Sequence, residues 1–213
     1  MKKIVLLFTA FLFSTALFAQ SERYMAAMNK FVAQLDTART KDDFQKLANQ
    51  FELIASKEQN QWLPYYYAAF CNASLVYQSD KDLIDVLCDK ADAMISKADS
   101  LQPNNAEIYV IRARICSARI MVNPMSRGAK FGKQSGEWLE KAKTIDPSCP
   151  RIALTEGTGK FYTPKMFGGG KDKAKPILED AAKKFEVFKP ASTIHPHWGS
   201  RECNWMLGQC NKE

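Results

Sequence analysis

The sequence predicts an all-α fold, an array of antiparallel helix pairs. Three observations carry that prediction. After the first twenty residues, apolar side chains recur at helical spacing and no stretch alternates long enough to make a strand. Clusters of Pro, Gly and Asn separate the periodic stretches. A small residue in an apolar setting returns every 44 residues, at Ala69, Ala113 and Gly157.

Residues 1–19 are set apart. Lys2 and Lys3 precede an apolar run from Ile4 to Phe13, and small residues lead into "LFAQ". This is the three-part layout of a secretory signal, with cleavage expected after Ala19. The run is short for spanning ~30 Å of hydrocarbon at 1.5 Å per residue. The expectation is a periplasmic or secreted protein with no stable membrane insertion after processing. The formal charge of +7 includes those two lysines. The remainder forms no dense basic stripe with interleaved aromatics, so nucleic acid is not an expected partner.

The spacing predicts helices over 21–38, 41–58, 61–78, 82–102, 105–122, 131–145, 150–162, 171–188 and 196–211. Breakers stand at "QPNN", "NPMSRG", "DPSCP", "TPKMFGGG" and "KPASTIHP". Proline lacks the N–H and glycine lacks the restraint that helix interiors need. Short connections imply that consecutive helices pack antiparallel. Residues 20–60 then form an N-terminal helix pair, and 61–213 form the repeat array with a terminal helix.

Aligning Ala69 with Ala113 also aligns Tyr65 with Tyr109, Ala98 with Ala142 and Pro103 with Pro147. Second helices carry Ala91-x3-Ile95-x2-Ala98-x4-Pro103 and Ser135-x3-Leu139-x2-Ala142-x4-Pro147. A third copy, Ala174-x3-Leu178-x2-Ala181, lacks the proline, and its helix continues through "KKFEVFKP". A fixed period of this size means stacked helix pairs, each too small to bury its apolar face alone.

That spacing resembles the tetratricopeptide repeat, with about three units roughly ten residues longer than its usual 34. "WLPYYYAA", "FYTPKMFGGGKDKAKPILEDA" and "PHWG" are similar to stretches of exported bacterial proteins of this class. The resemblance implies a right-handed superhelix, an α-solenoid whose first helices line the concave side. It also implies which residues face that groove. They are Leu63, Tyr66 and Phe70, then Glu107, Val110 and Arg114, then Arg151, Leu154, Thr158 and Phe161, and finally Glu202, Trp205 and Gln209. Ala118 is expected on the same side.

Aromatics with two arginines suit an extended peptide, since aromatics supply area and guanidinium groups orient carboxylates or carbonyls. The expected function is therefore a non-catalytic protein- or peptide-binding scaffold of the cell envelope, its partner another envelope protein or an extended segment. The alternative is a small-ligand-binding or accessory component of an envelope transport system. No enzyme constellation is visible, and no cofactor is expected. "HPHWG" holds the only histidines, His195 and His197, with proline between them and no third ligand at metal spacing beyond Cys203. It is expected to be a surface turn with Trp198 as an anchor. "FGGGKDKA" lacks the spacing of a phosphate loop. The six cysteines permit disulfides without naming a pair, although Cys203 and Cys210 on one helix stand ~10 Å apart, too far to bridge.

Overall fold

The computed structural model describes residues 22–212, and the expected signal segment lies outside them. Among the described residues the fold is all-α, with no strand. Helix α1 covers 22–35. It is followed by α2 (Lys41–Lys57), α3 (Trp62–Leu75), α4 (Lys81–Leu101) and α5 (Ala106–Ile120). Then come α6 (Pro124–Ile145), α7 (Pro150–Tyr162), α8 (Lys171–Val187) and α9 (Ser200–Cys210).

Helix starts follow local chemistry. Thr40 and Asp43 form a reciprocal capping box on α2, with Asp43 Oδ2 accepting from Thr40 N at 2.9 Å. Bonds from the Thr40 and Arg39 backbone N–H groups, in that order, hold the Asp43 carboxyl down at about 2. Asn105 caps α5 by accepting from Glu107 N. The largest departure from the expected boundaries is α6, which begins at Pro124 rather than at 131. Asn123 accepts from Ser126 N and Pro124 takes the first helical turn, where its missing N–H costs nothing. The "NP" pair is thus a start signal as well as a stop. The extra residues of that unit are helical.

Each helix packs on its sequence neighbour, most extensively in the pairs α3–α4, α5–α6 and α7–α8. The first helices also meet one another, α3 with α5 and α5 with α7. The core runs along the chain as three clusters. The first joins α1 to α5, the second lies between α5, α6 and α7, and the third between α7, α8 and α9. The repeated positions form its spine, since Ala69, Ala113, Ala91, Ile95, Ala98, Ala142, Ala174, Leu178 and Ala181 are all fully buried. At Gly157 a Cβ would stand 2.7 Å from Leu178 Cδ2, so glycine permits the close approach of α7 to α8. Ala118, expected toward the groove, is instead fully buried in the first cluster.

All six cysteines are free thiols. Burial pushes Cys88 and Cys149 up to about 12, and Cys116 and Cys203 up to about 11, so they remain protonated packing groups.

Candidate functional site

The inner side of the first helices is not an open groove. The segment 188–199, between α8 and α9, folds back across α3, α5 and α7. Ile194 inserts into the first core cluster, and its carbonyl accepts from the Tyr67 hydroxyl at 2.9 Å. Trp198 stacks on Phe70 with ring centroids 4.6 Å apart and donates from Nε1 to the Tyr66 hydroxyl at 2.9 Å. Thr193 donates to Asn29, and Arg201 reaches the Asp36 carbonyl, so the strap also ties α9 to the end of α1.

This strap corrects most of the expected groove positions. Leu63, Tyr66 and Phe70 are buried in the first cluster, Val110 in the second and Leu154 in the third. Glu107 and Arg151 face each other as an ion pair rather than facing a partner. Arg151 Nε donates to Glu107 Oε2 at 2.7 Å, its Nη2 donates to Oε1, and its side chain is fully buried. Nη1 donates to the Trp198 carbonyl at 3.1 Å, and the guanidinium lies over the Phe188 and Trp198 rings. Arg151 thus clamps the strap to α5 and α7.

The remaining positions are Arg114, Thr158 and Phe161 on the first helices and Glu202, Trp205 and Gln209 on α9, and most of them keep some surface open. Arg114 is nearly buried and pairs with Glu202 at 3.2 Å, with its guanidinium 5.0 Å from the Trp198 ring. Burial opposes the Arg114 charge, but Glu202 more than offsets this and the group stays protonated. Thr158 and Phe161 are half-buried, and Thr158 Oγ1 donates to Leu154 O and lies 3.2 Å from Met206 Sδ. On α9, Trp205 and Gln209 stand three and seven residues after Glu202 and so share its face.

Two tyrosines that the repeat did not single out complete this area. Tyr77 and Tyr162 follow their small residues by eight and five positions, so no shared register flags them. Both phenols are raised, chiefly by burial, and both feel Glu202; Tyr77 also feels Arg114, which pulls it the other way. Tyr77, Tyr162 and Trp205 nevertheless keep 44%, 64% and 55% of their surface open. Tyr77 and Tyr162 thus lie within electrostatic reach of the Arg114–Glu202 pair, and Trp205 shares the α9 face of Glu202; these aromatics form a partly open rim beside a nearly buried arginine. Such a rim suits a flat apolar molecule carrying an acid group.

The histidines belong to the strap. His195 Nδ1 lies 2.7 Å from Ser192 Oγ, and its ring meets Trp62 edge-on. His197 Nδ1 lies 3.1 Å from the His195 carbonyl, and its Nε2 is 3.3 Å from Asp36. Among the described residues no cluster of His, Cys, Asp and Glu has the makings of a metal site. Burial, partly opposed by Glu107, lowers His195 below its usual 6.5. The folded state therefore binds fewer protons than the unfolded chain, whose imidazole titrates near 6.5. The strap's stability is complete above that value and declines as the pH falls below it. The protection factors of the amides in residues 190–198, relative to their intrinsic exchange rates, should fall between pH 7 and 5, and His195→Gln should flatten that dependence. Equal pH dependence in parent and variant would assign the change to another group.

Two shallow hollows lie elsewhere. One, between α7 and α8, is lined by Ile152, Glu156, Pro176 and Lys184. The other is lined by Asp85, Asp89, Arg119, Arg127, Lys130 and Phe131; the aspartates pair with the arginines, and Arg127 and Lys130 lie over the Phe131 ring. Neither sets several exposed aromatic side chains beside a nearly buried arginine.

No protein-family model matches the chain, and no curated protein does. Among solved structures it is similar to the HusA haemophore from Porphyromonas gingivalis, at 34% identity and a TM-score of 0.79. The match covers 88% of this chain and 92% of that one.

Proposed function

This chain belongs to the family of the HusA haemophore, and from that premise we propose that it is an exported, non-catalytic binder of haem or a related planar tetrapyrrole. The carrying observation is the group of exposed aromatics beside the Arg114–Glu202 pair, with Tyr77 and Tyr162 in electrostatic reach of it and Trp205 on the α9 face of Glu202. The aromatic rings offer stacking faces for a macrocycle, and Arg114 offers a bidentate partner for a propionate once Glu202 yields it. Tyr77 and Tyr162 are the side chains at the rim that could reach haem iron through oxygen. Both histidines are engaged in the strap. The small-ligand reading is favoured over a peptide-binding scaffold because the chain's own residues 188–199 already pack on Tyr66, Tyr67 and Phe70, where a peptide was expected. Stacking of the pairs as a tetratricopeptide-type superhelix belongs to the same proposal, supported by the contacts of α5 with both α3 and α7. So does export, for which the family is the support.

The test is a titration of the chain beginning at Gln20 with haemin and with iron-free protoporphyrin, followed by absorbance and tryptophan quenching. Both should bind saturably. Trp205→Ala and Tyr162→Ala should each weaken binding about tenfold, the size of one aromatic contact of ~1–1.5 kcal/mol. Tyr162→Phe should lower affinity for haemin alone if the phenol oxygen meets iron. Absence of saturable binding, or full affinity in both alanine variants, would refute this site.

A further inference from the structure

The connection between α7 and α8 is a tightly specified loop that holds two large apolar side chains in water. A short turn over Lys165–Phe167 is closed by Phe167 N donating to Pro164 O at 2.9 Å and Gly168 N donating to Lys165 O at 3.0 Å. Gly170 N ties the loop back to Lys160 O at 2.9 Å. Gly168 and Gly170 have φ of 79° and 109°, and a Cβ at Gly169 would run into the Thr163 carbonyl. Turning Met166 and Phe167 inward would break this geometry, so they stand 82% and 58% exposed. Basic residues surround them. Lys160, Lys165, Lys171 and Lys173 are exposed, and Asp172 is the one carboxylate between 160 and 175. The ammonium of Lys171 donates to the Lys212 carbonyl at 2.9 Å, and Lys160, Lys165 and Lys173 make no ion pair among the described residues.

We propose that this tip docks the protein on an anionic bilayer surface, with Met166 and Phe167 entering the headgroup region and the lysines meeting lipid phosphates. A stable protein interface needs about 800 Å² per partner, which two side chains on a narrow turn cannot supply. A bilayer accepts such side chains one at a time, and its binding adds apolar burial to charge attraction. The contact is peripheral, because no helix among the described residues is long and apolar enough to cross a membrane.

The test is sedimentation of the chain beginning at Gln20 with vesicles of phosphatidylcholine alone or mixed with phosphatidylglycerol. The protein should pellet with the anionic vesicles and stay in solution with the neutral ones. Met166→Ser with Phe167→Ser should abolish pelleting, and Lys160→Gln with Lys165→Gln should weaken it and reduce its salt dependence. Tetrapyrrole titration of the serine variant should match the parent, which separates this proposal from the concave site. A parent that ignores anionic vesicles would overturn the membrane assignment in favour of a protein partner. Serine variants that pellet like the parent would also overturn it.

Discussion

Replacing Arg151 with alanine should destabilise the protein by about 3–5 kcal/mol, the usual cost of breaking a buried ion pair. In a chain of this size that is a fall in Tm of roughly 10 °C. The reason is geometric. Arg151 is fully buried and gives two bonds to Glu107 and one to the Trp198 carbonyl. Removal strands the Glu107 carboxylate, at 15% exposure, and frees the strap on one side. Glu107→Gln should also be costly, because it leaves the guanidinium buried beside a neutral group. The double variant Glu107→Gln with Arg151→Ala should cost clearly less than the two single changes summed, since each then lacks the partner it would strand. The outer network is the control. Arg119 bonds Asp89 and Asp92 at 2.6 Å each, but these carboxylates keep 72% and 42% of their side-chain surface in solvent. Arg119→Ala should therefore cost no more than about 1 kcal/mol per exposed pair. Strict additivity in the Glu107–Arg151 cycle, or equal losses at Arg119 and Arg151, would contradict the clamp.

That ion pair also marks how far the sequence could be read. Helices were legible because their apolar faces repeat, and the 44-residue interval named the buried small positions at Ala69, Ala113 and Gly157. The same alignment set Glu107 and Arg151 at equivalent places in consecutive units. Opposite charges at equivalent positions of stacked helices are adjacent, so a pair across the wall was a readable signal. The assumption of an empty groove hid it. The strap was harder to see. Residues 188–199 carry no period, and nothing local distinguishes a proline-rich connector that crosses the wall from one that skirts the surface. What places it is the fit of Ile194 and Trp198 against helices distant in sequence, α3 more than a hundred residues earlier and α5 and α7 between. Tyr77 and Tyr162 were missed for a related reason: they sit where helices end, outside the register that defines the repeat.

Trp198 should be the second most sensitive position, with Trp198→Ala costing about 3–5 kcal/mol, as large aromatic truncations do. Its ring lies against Phe70 at 4.6 Å and under the guanidinium of Arg114 at 5.0 Å, and its Nε1 donates to the Tyr66 hydroxyl. It contacts all three core clusters at their edges. Truncation would open a cavity where the strap meets α3, α5 and α7, so strap amides should lose protection ahead of those in α3. Trp198→Phe isolates the two roles. It keeps a ring on Phe70 and gives up the donor, leaving the Tyr66 hydroxyl to its Glu107 contact at 3.3 Å. One neutral hydrogen bond is worth about 1 kcal/mol, so most of the stability should return. Because the ring also underlies Arg114, the alanine variant should weaken tetrapyrrole binding at temperatures where it remains folded, whereas the phenylalanine variant should bind nearly as the parent does. If both substitutions cost the same stability, the hydrogen bond rather than the ring holds the strap. If the alanine variant, still folded, binds tetrapyrrole undiminished, the strap and the aromatic rim are independent.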